Sequence, residues 1–306
     1  MSIPSHHHQT TPGPAPLRVG LLGTGPWAGR TQAPALAAHP GVEFTGVWGR
    51  RPEAAAALAA AHGTKAYEDV DALIEASDAV AIALPPDVQA PLAVRAARVG
   101  RHLLLDKPVA TTVEGAREVA DAADAAGVRS VVFCTLRFAG ETEGWIREQA
   151  GAGGWYLAHA HWLGALYGPG GGGPYAASPW RREKGGLWDV GPHVLSVLLP
   201  VLGEVTEVSA SRGPADTVHL ALRHASGAGS TATLTLSAPA AAAHVGIELY
   251  GERGRVELPG WGGAADAFAR AVDGLLGAVR DGRAHPCDAR FGLRITEILV
   301  AAESRL

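Results

Sequence analysis

The first half of the chain alternates short apolar runs with longer segments in which apolar and polar positions follow a helical period. Such alternation is typical of buried parallel strands with helices on both faces of the sheet. The pattern therefore predicts a doubly wound Rossmann-type α/β domain over residues 17–138. The predicted strands are Leu17–Leu22, Val42–Trp48, Ala79–Ala83, Arg101–Leu105 and Ser130–Thr135, and the predicted helices are Trp27–Ala38, Arg51–Ala61, Asp69–Glu75, Pro86–Val99 and Thr112–Ala126.

The pattern changes after about residue 140, where strand-like runs follow one another with short turns. Consecutive strands joined by tight turns favour an open, mostly antiparallel sheet, so residues 139–306 are predicted to form an α+β domain. The glycine-rich loop Gly168–Gly173 in this half is either a mobile lid or a plain connector. The predicted strands are Trp155–Leu166, Val205–Ala210, Thr217–Arg223, Thr231–Ser237, His244–Tyr250 and Arg255–Leu258, and the two closing helices are Ala264–Val279 and Asp288–Glu303.

Residues 1–16 differ in composition from the rest of the chain. They hold three adjacent histidines, His6, His7 and His8, together with several prolines, and they lack the apolar segment of a signal peptide. We predict a disordered tail, in preference to a weak metal site.

Overall composition excludes several classes of function. With 26 basic and 30 acidic residues the net charge is −4, which gives no nucleic-acid footprint. No apolar run reaches the length of a membrane span. The two cysteines, Cys134 and Cys287, belong to no CxxC or Cys/His cluster, so we expect no disulfide framework and no metal site. Two lone thiols fit the reducing cytoplasm.

A glycine-rich turn follows the first predicted strand and opens the first predicted helix. Its spacing matches G-x-G-x-x-A, in which the first glycine makes the turn and the second lets the backbone approach a pyrophosphate. The alternative is a plain tight turn in an α/β protein. The spacing predicts dinucleotide binding by Gly23, Thr24, Gly25, Pro26 and Trp27, with Ala28 allowing close packing of helix on strand.

The end of the second predicted strand bears on cofactor choice. An NAD site usually carries an acid here, to bind the ribose 2′-hydroxyl. This chain instead has Gly49, Arg50 and Arg51, and two guanidinium groups can bind a 2′-phosphate. We therefore predict that NADP(H) is preferred and NAD(H) possible; the alternative is a solvated arginine pair that begins a helix.

The run Gly185–His193 places an acid four residues before a histidine. If the run is helical, Asp189 and His193 lie one turn apart, and the carboxylate can orient the imidazole for proton transfer. Pro192 complicates this picture, because proline is tolerated best in the first turn of a helix. A helix that begins near residues 190–192 would leave Asp189 as a cap.

Four features in this order resemble the Gfo/Idh/MocA family, of the glucose–fructose oxidoreductase and inositol dehydrogenase type. They are the glycine turn, the Leu84-Pro85-Pro86 strand end, Asp106-Lys107-Pro108 and the Gly185–His193 run. The resemblance implies a Rossmann domain joined to an open-sheet domain, with the nicotinamide in the cleft between them. It also implies a small-molecule substrate and a homodimer or homotetramer formed through the C-terminal sheet.

The resemblance further implies roles for particular residues. Asp106 stands in place of the usual Glu, Gln89 in place of a common His, and Ser196 in place of a second Asp. The catalytic candidates are Lys107, Asp189 and His193; the further cofactor candidates are Leu84, Pro85, Gln89, Asp106 and Lys107; and the substrate candidates are Arg137, Tyr167, Trp180, Arg181 and His193. Arg137 is alternatively an ion-pair partner at the domain junction.

The resulting hypothesis is an NADP(H)-dependent oxidoreductase acting on a polyol, a sugar, a sugar-derived ketone, or a related carbonyl or imine. His193 would be the general acid or base, with Lys107 stabilising negative charge or itself carrying the proton. Asp189 would orient His193 or bind a neighbouring hydroxyl. The alternatives are a cofactor-binding sensor without net turnover and a nicotinamide-dependent glycosidase.

Overall fold

The computed structural model describes residues 15–306, so the predicted tail lies almost entirely outside the described residues. Within them the chain forms two six-stranded sheets. The first half contains β1 Leu17–Leu22, β2 Val42–Trp48, β3 Lys65–Tyr67, β4 Ala79–Ile82, β5 His102–Asp106 and β6 Ser130–Phe133, with α1 Ala33–Ala38, α2 Pro52–Ala61, α3 Val70–Ala76, α4 Pro86–Arg98 and α5 Val113–Ala125.

The first sheet is parallel throughout and has the order β3-β2-β1-β4-β5-β6. This is the doubly wound order of a Rossmann fold. All residues of β4 and β6 are buried, as expected where helices cover both faces of a sheet. A π-helical turn over Ala28–Gln32 precedes α1, so the predicted helix from Trp27 is present with a distorted start.

The second half supplies the other sheet, of order β12-β11-β7-β10-β9-β8. Its neighbouring strands are antiparallel except for β7 and β10, which run parallel and confirm a mostly antiparallel sheet. Its elements are α6 Gly140–Ala152, β7 Trp155–Leu163, α7 Pro179–Asp189, α8 Gly191–Leu202, β8 Val205–Arg212, β9 Val218–His224, β10 Gly229–Thr235, β11 His244–Gly251, β12 Gly254–Glu257, α9 Ala264–Asp281 and α10 Ala289–Glu303.

The closing helices α9 and α10 return to the first sheet. The Phe268 ring of α9 packs edge-on against Phe133 of β6, with centroids 5.0 Å apart. The Val132 amide donates to the Cys287 carbonyl at 2.7 Å, and the Ala289 amide donates to the Ser130 hydroxyl at 3.0 Å. These contacts attach the two closing helices to β6 of the first sheet.

Three elements are absent from the sequence predictions. Strand β3 has only three residues and lies at the sheet edge. Helix α6 contains three glycines, which weaken a helical pattern, and α7 contains the pair Gly185-Gly186. No helix is therefore predicted over these two segments, apart from the helical alternative for the Gly185–His193 run.

The helices α7 and α8 together form an apolar stretch. Over Pro179–Leu202 this stretch is long and apolar enough to cross a membrane by length and composition alone. However, 94% of its apolar window is buried inside the protein, and the backbone is non-helical at Gly185. In this structure the stretch is part of the core.

Candidate active site

The turn after β1 has the shape that a pyrophosphate requires. Gly23 has φ of +135°, and a Cβ there would lie 2.4 Å from the carbonyl oxygen of Ala83. A Cβ on Gly25 would meet nothing within 4 Å, so the backbone of this turn faces open space. Ala28 is fully buried where the helix packs on the sheet. The turn therefore fits a phosphate group held by backbone amides.

Beside this turn, a cavity of about 480 Å³ opens at the ends of β1, β2 and β4. No acidic side chain of the described residues lines it. Gly49 has no room for a side chain, because a Cβ would lie 2.5 Å from the Thr24 methyl group. The lining residues are Thr24, Gly25, Gly49, Arg50, Arg51, Ala83, Leu84 and Pro85, most of them predicted cofactor residues.

A groove of about 400 Å³ continues from this cavity toward the second sheet. It shares Gly25, Arg50, Arg51 and Pro85 with the first cavity and runs past Trp180 to Lys107. The extended shape, the open backbone at Gly25 and the arginines at one end together fit a dinucleotide. A nicotinamide would then lie at the Lys107 end.

Gln89 fixes the backbone that presents Lys107. Its buried side-chain amide donates to the carbonyl oxygens of Asp106, Pro108 and Val109 at 2.9, 3.1 and 3.2 Å. Its oxygen accepts the Asp106 amide at 2.9 Å. Gln89 was expected to contact the cofactor, but its side chain has no exposed surface and its polar atoms are bonded to backbone. Gln89 therefore positions the end of β5.

Lys107, Asp189 and Arg181 form a nearly buried charge cluster. The Lys107 Nζ donates to Asp189 Oδ1 at 2.8 Å and to the Asp189 carbonyl at 2.5 Å, and the Arg181 Nε donates to the same Oδ1 at 3.1 Å. Burial alone would raise the pKa of Asp189, but the two cations outweigh it and lower the pKa to about 2. Asp189 is ionised and holds both cations in place.

Asp189 and His193 do not lie one turn apart on a single helix. Helix α7 ends at Asp189, and α8 begins at Gly191 with Pro192 in its first turn, which confirms the predicted helix start near residues 190–192. The N-cap of α8 is Val190, so the prediction that Asp189 caps this helix is wrong. No hydrogen bond joins the two side chains, because the Asp189 oxygen faces Lys107 and Arg181. The expectation that Asp189 orients His193 was wrong; Asp189 orients Lys107.

His193 lies against an aromatic side chain. Its ring stacks on Trp162, with centroids 4.8 Å apart and an interplanar angle of 21°. The Nδ1 atom is buried without a hydrogen-bond partner. Burial and the nearby Lys107 hold the pKa of His193 well below its ordinary value, so the ring is neutral at pH 7. A neutral imidazole can accept a proton.

Asp106 is the second carboxylate of the cluster. Its Oδ1 accepts the Lys107 amide at 2.8 Å. Burial raises the pKa of Asp106 to about 6, although Lys107 and Arg181 partly oppose this effect. The carboxyl group therefore titrates just below neutral pH.

These groups meet in a cavity of about 670 Å³ between the two sheets. This volume lies in the range of small-molecule sites, about 300–1,000 Å³. Asp106, Lys107 and Arg181 line both this cavity and the dinucleotide groove, so the two spaces meet at the charge cluster. Among residues 15–306, no group of three or more His, Cys, Asp or Glu could hold a metal ion.

Three predicted substrate residues lie outside this cavity. Arg137 lines a separate surface groove with His285, donates to the Ser196 carbonyl at 3.3 Å and does not form the predicted cleft contact. Tyr167 does not line the cavity, and its ring is covered by Arg182. Trp180 lines the dinucleotide groove, with the Arg181 guanidinium 4.8 Å from its ring.

Sequence reasoning also missed several residues of the site. Trp162, Tyr175 and Trp261 line the cavity, but nothing in their local sequence distinguishes them from core aromatics. Asp216 was missed as well. It accepts hydrogen bonds from the Gly186 amide at 2.8 Å and the Leu236 amide at 2.9 Å, and so joins α7 to the end of β10. No motif marks it, because its partners are distant in sequence.

Backbone conformation and close packing explain why glycine occupies positions 185 and 186. Gly185 has φ of +63°, and a Cβ on Gly186 would lie 2.6 Å from the Cα of Thr235. Two glycines therefore let α7 bend and pass directly over β10, which places Asp189 beside Lys107.

Two family models match the chain. Residues 17–134 match the oxidoreductase family with NAD-binding Rossmann fold, GFO_IDH_MocA, and residues 152–257 match the GFO/IDH/MocA C-terminal domain. Together they cover both sheets.

Individual relatives match shorter parts of the chain. A dTDP-3,4-didehydro-2,6-dideoxy-alpha-D-glucose 3-reductase from Streptomyces violaceoruber is 40% identical over 114 residues, which is 37% of this chain and 33% of that protein. A D-glucoside 3-dehydrogenase from Escherichia coli is 30% identical over 195 residues, which is 62% of this chain and 55% of that protein. The chain thus spans about a third of the length of the curated relatives it matches first.

Solved structures confirm the fold along the chain. GenD2 from gentamicin A biosynthesis, solved in complex with NAD, superposes with a TM-score of 0.82 at 20% identity, covering 100% of this chain and 97% of that one. At this identity the similarity shows the fold alone.

Proposed function

This chain belongs to the GFO/IDH/MocA family of oxidoreductases with an NAD-binding Rossmann fold, and we propose that it transfers hydride between a nicotinamide cofactor and a secondary alcohol or ketone of a sugar. The observation that carries the proposal is the meeting of Lys107, Asp189 and His193 in one cavity at the end of the dinucleotide groove. The relatives named above act at position 3 of a sugar, and we propose the same position here.

The bound cofactor supplies or accepts the hydride. In the oxidative direction the substrate carbon loses a hydride and its hydroxyl loses a proton. His193 takes that proton, because its buried ring is neutral and lines the cavity. In the reductive direction the ring first takes up a proton from solvent and then donates it to the new alkoxide.

Lys107 binds the reacting oxygen. An ammonium group has three donors, and Asp189 accepts two of them through its carbonyl and carboxylate oxygens. The third remains for a substrate oxygen, where the positive charge stabilises developing negative charge. Asp189 keeps the ammonium group at this position and prevents it from turning away from the cavity.

We further propose a preference for NADP(H). In the described part of the chain, the lining of the cavity at the ends of β1, β2 and β4 has two arginines and no acid. Among residues 15–306, neither Arg50 nor Arg51 has an acidic partner within 4 Å, so both guanidinium groups are free to bind a 2′-phosphate.

The open face of the second sheet supports self-association into a homodimer or homotetramer. Strand β9 alternates strictly between buried and exposed positions, so one face of the sheet packs on helices and the other is accessible. Tyr156, on β7, is 76% exposed. Light scattering of Tyr156→Asp would show a smaller species than the wild-type protein if this face forms the interface.

The test of the main proposal is a fluorescence titration with NADPH and NADH, followed by a spectrophotometric screen of sugars, polyols and their ketones. We expect NADPH to bind and to be oxidised in the presence of a 3-keto sugar. Cofactor binding without turnover of any sugar, polyol or ketone would contradict the proposal. Release of the aglycone from a glycoside without net change in NADPH would indicate a glycosidase instead.

A further inference from the structure

The cavity between the sheets is polar at one end and apolar at the other. The polar end holds the Lys107, Asp189 and His193 side chains. From His193 an aromatic row leads outward: His193 stacks on Trp162, and Trp162 lies 6.1 Å from Trp261 between ring centroids. Trp261 lines the cavity and is 39% exposed to solvent. The row therefore marks the direction from the reacting groups to solvent.

Several of the described lining residues carry no charge: Ala165, Leu166 and Leu236, together with the glycine loop. A Cβ on Gly171 would lie 1.5 Å from the carbonyl oxygen of Ala165, so the loop lies directly on the chain and presents only backbone to the cavity. Outside the charge cluster, the described lining residues are aliphatic, aromatic or glycine except for Thr135, and the uncharged polar groups among them include the hydroxyls of Thr135 and Tyr175 and the indole N–H of Trp27.

The charges of the cavity are already paired. Among residues 15–306, its only lining cations are Lys107 and Arg181, and both donate to the carboxylate of Asp189, with Asp106 beside them. A phosphate group on the substrate would need a further cation, and burial of an unpaired phosphate is costly. Phosphorylated and nucleotide-linked sugars lack a counter-charge in this part of the site.

We infer that the substrate is a neutral glycoside with an apolar aglycone; this inference rests on the proposed function. The sugar ring lies at the Lys107 end, and the aglycone extends along Trp162 to Trp261. Burial of an apolar aglycone there contributes about 25 cal/mol per Å² removed from water, and aromatic faces suit an aryl group.

The binding test avoids turnover by pairing alcohol substrates with the reduced cofactor, a combination that cannot react. The NADPH-loaded protein is titrated by calorimetry with methyl and phenyl D-glucopyranosides of both anomeric forms, glucose 6-phosphate and UDP-glucose. We expect the phenyl glucoside anomer that binds more tightly to have at least 10-fold higher affinity than the methyl glucoside of the same anomeric form. We expect both anionic sugars to bind more weakly than that methyl glucoside. Equal binding of phenyl and methyl glucosides, or tighter binding of either anionic sugar, would overturn the inference.

Two variants test whether the aglycone binds beside Trp261. Trp261→Ala should weaken binding of the phenyl glucoside at least 5-fold more than binding of the methyl glucoside. The matched control is Trp145→Ala, on α6 and outside the cavity, which should leave the ratio of the two affinities unchanged. An unchanged ratio in Trp261→Ala would place the aglycone elsewhere and contradict the inference.

Rates of sugar oxidation measured with the oxidised cofactor test the proposed function independently of this inference. Tight binding of the phenyl glucoside without its oxidation supports the inference and contradicts the proposed hydride transfer. Oxidation of only the anionic sugars would support the proposed hydride transfer. It would overturn the inference that the substrate is a neutral glycoside with an apolar aglycone.

Discussion

The Nζ atom of Lys107 lies 2.8 Å from Oδ1 of Asp189, although 82 residues separate them in sequence. Lys107 follows the last residue of β5, and Asp189 ends α7, so the pair joins the Rossmann sheet to the helices of the second half. Both side chains are largely buried, at 9% and 12% exposure. Loss of one partner would leave a buried charge, which typically costs about 3–5 kcal/mol.

Substitution of Lys107 tests its contact with the reacting oxygen. Lys107→Met should lower kcat/KM about 100- to 1,000-fold, as found when one donor to a developing oxyanion is removed. Steady-state kinetics with NADPH and a 3-keto glucoside measure the effect. Lys65→Met is the matched control, because Lys65 is exposed on the edge strand β3. Near-normal turnover by Lys107→Met would exclude the proposed role.

Substitution of Asp189 tests the charge cluster through stability. The folded-state pKa of about 2 lies below the ordinary value of 3.8, so ionised Asp189 stabilises the fold above about pH 4, and this contribution is lost as the pH falls toward 2. Asp189→Asn should therefore be less stable by about 3 kcal/mol at pH 7. Urea unfolding at pH 7 and pH 3 should show a smaller difference at the lower pH. A difference that does not depend on pH would argue against an ionised Asp189.

The opposite pH dependence is expected at Asp106. Its folded-state pKa of about 6 lies above the ordinary 3.8, so protonated Asp106 is favoured in the fold at low pH, and this advantage is lost as the pH rises through 6. Asp106→Asn should raise the unfolding free energy above pH 6 by at most about 2–3 kcal/mol and change it little at pH 4. Thermal unfolding of both proteins between pH 4 and pH 8 measures the difference in stability. If Asp106→Asn stabilises the protein as much at pH 4 as above pH 6, titration of Asp106 is not the cause.

Substitution of Gln89 tests whether this residue holds the backbone at the end of β5 or contacts the cofactor directly. Gln89→Ala leaves the carbonyl oxygens of Asp106, Pro108 and Val109 without this donor and should destabilise the protein by about 1–3 kcal/mol. We expect kcat to fall because Lys107 is no longer held, while the Kd for NADPH changes less than 3-fold. A 10-fold weaker affinity for NADPH with unchanged stability would instead show a direct cofactor contact.

The arginine pair determines the expected cofactor preference. Arg50→Ala with Arg51→Ala removes two charge-assisted donors, which should weaken NADPH binding about 10- to 100-fold. NADH has no 2′-phosphate, so its affinity should change less than 3-fold. Fluorescence titration with both cofactors measures the ratio. Equal losses for NADPH and NADH would mean that the arginines do not recognise the 2′-phosphate.

Local patterns in the sequence predict the fold and the glycine turn after β1 well. The strands of the Rossmann half are short apolar runs. In the turn that follows β1, the backbone requires glycine at Gly23, where φ is positive, and Gly25 leaves open space beside the turn. Both features depend on neighbouring residues, so they can be recognised without knowledge of the tertiary structure.

The substrate side of the site depends on contacts between distant segments. The sequence alone suggests that Asp189 faces His193, whereas the structure turns it toward Lys107 and Arg181, because the chain bends between α7 and α8. Trp261 follows the last strand, yet it completes a row that begins at His193. No local pattern encodes these contacts, since they arise from the packing of the two sheets.

The most direct measurement is transfer of deuterium from NADPH labelled at C4 to the 3-keto derivative of phenyl glucoside, followed by mass spectrometry of the sugar product. We predict one deuterium on the carbinol carbon when the transferred face of the cofactor is labelled, and at least a 100-fold slower transfer by Lys107→Met. A product without deuterium from cofactor labelled on either face, or equal rates for the two proteins, would contradict hydride transfer at the Lys107 site.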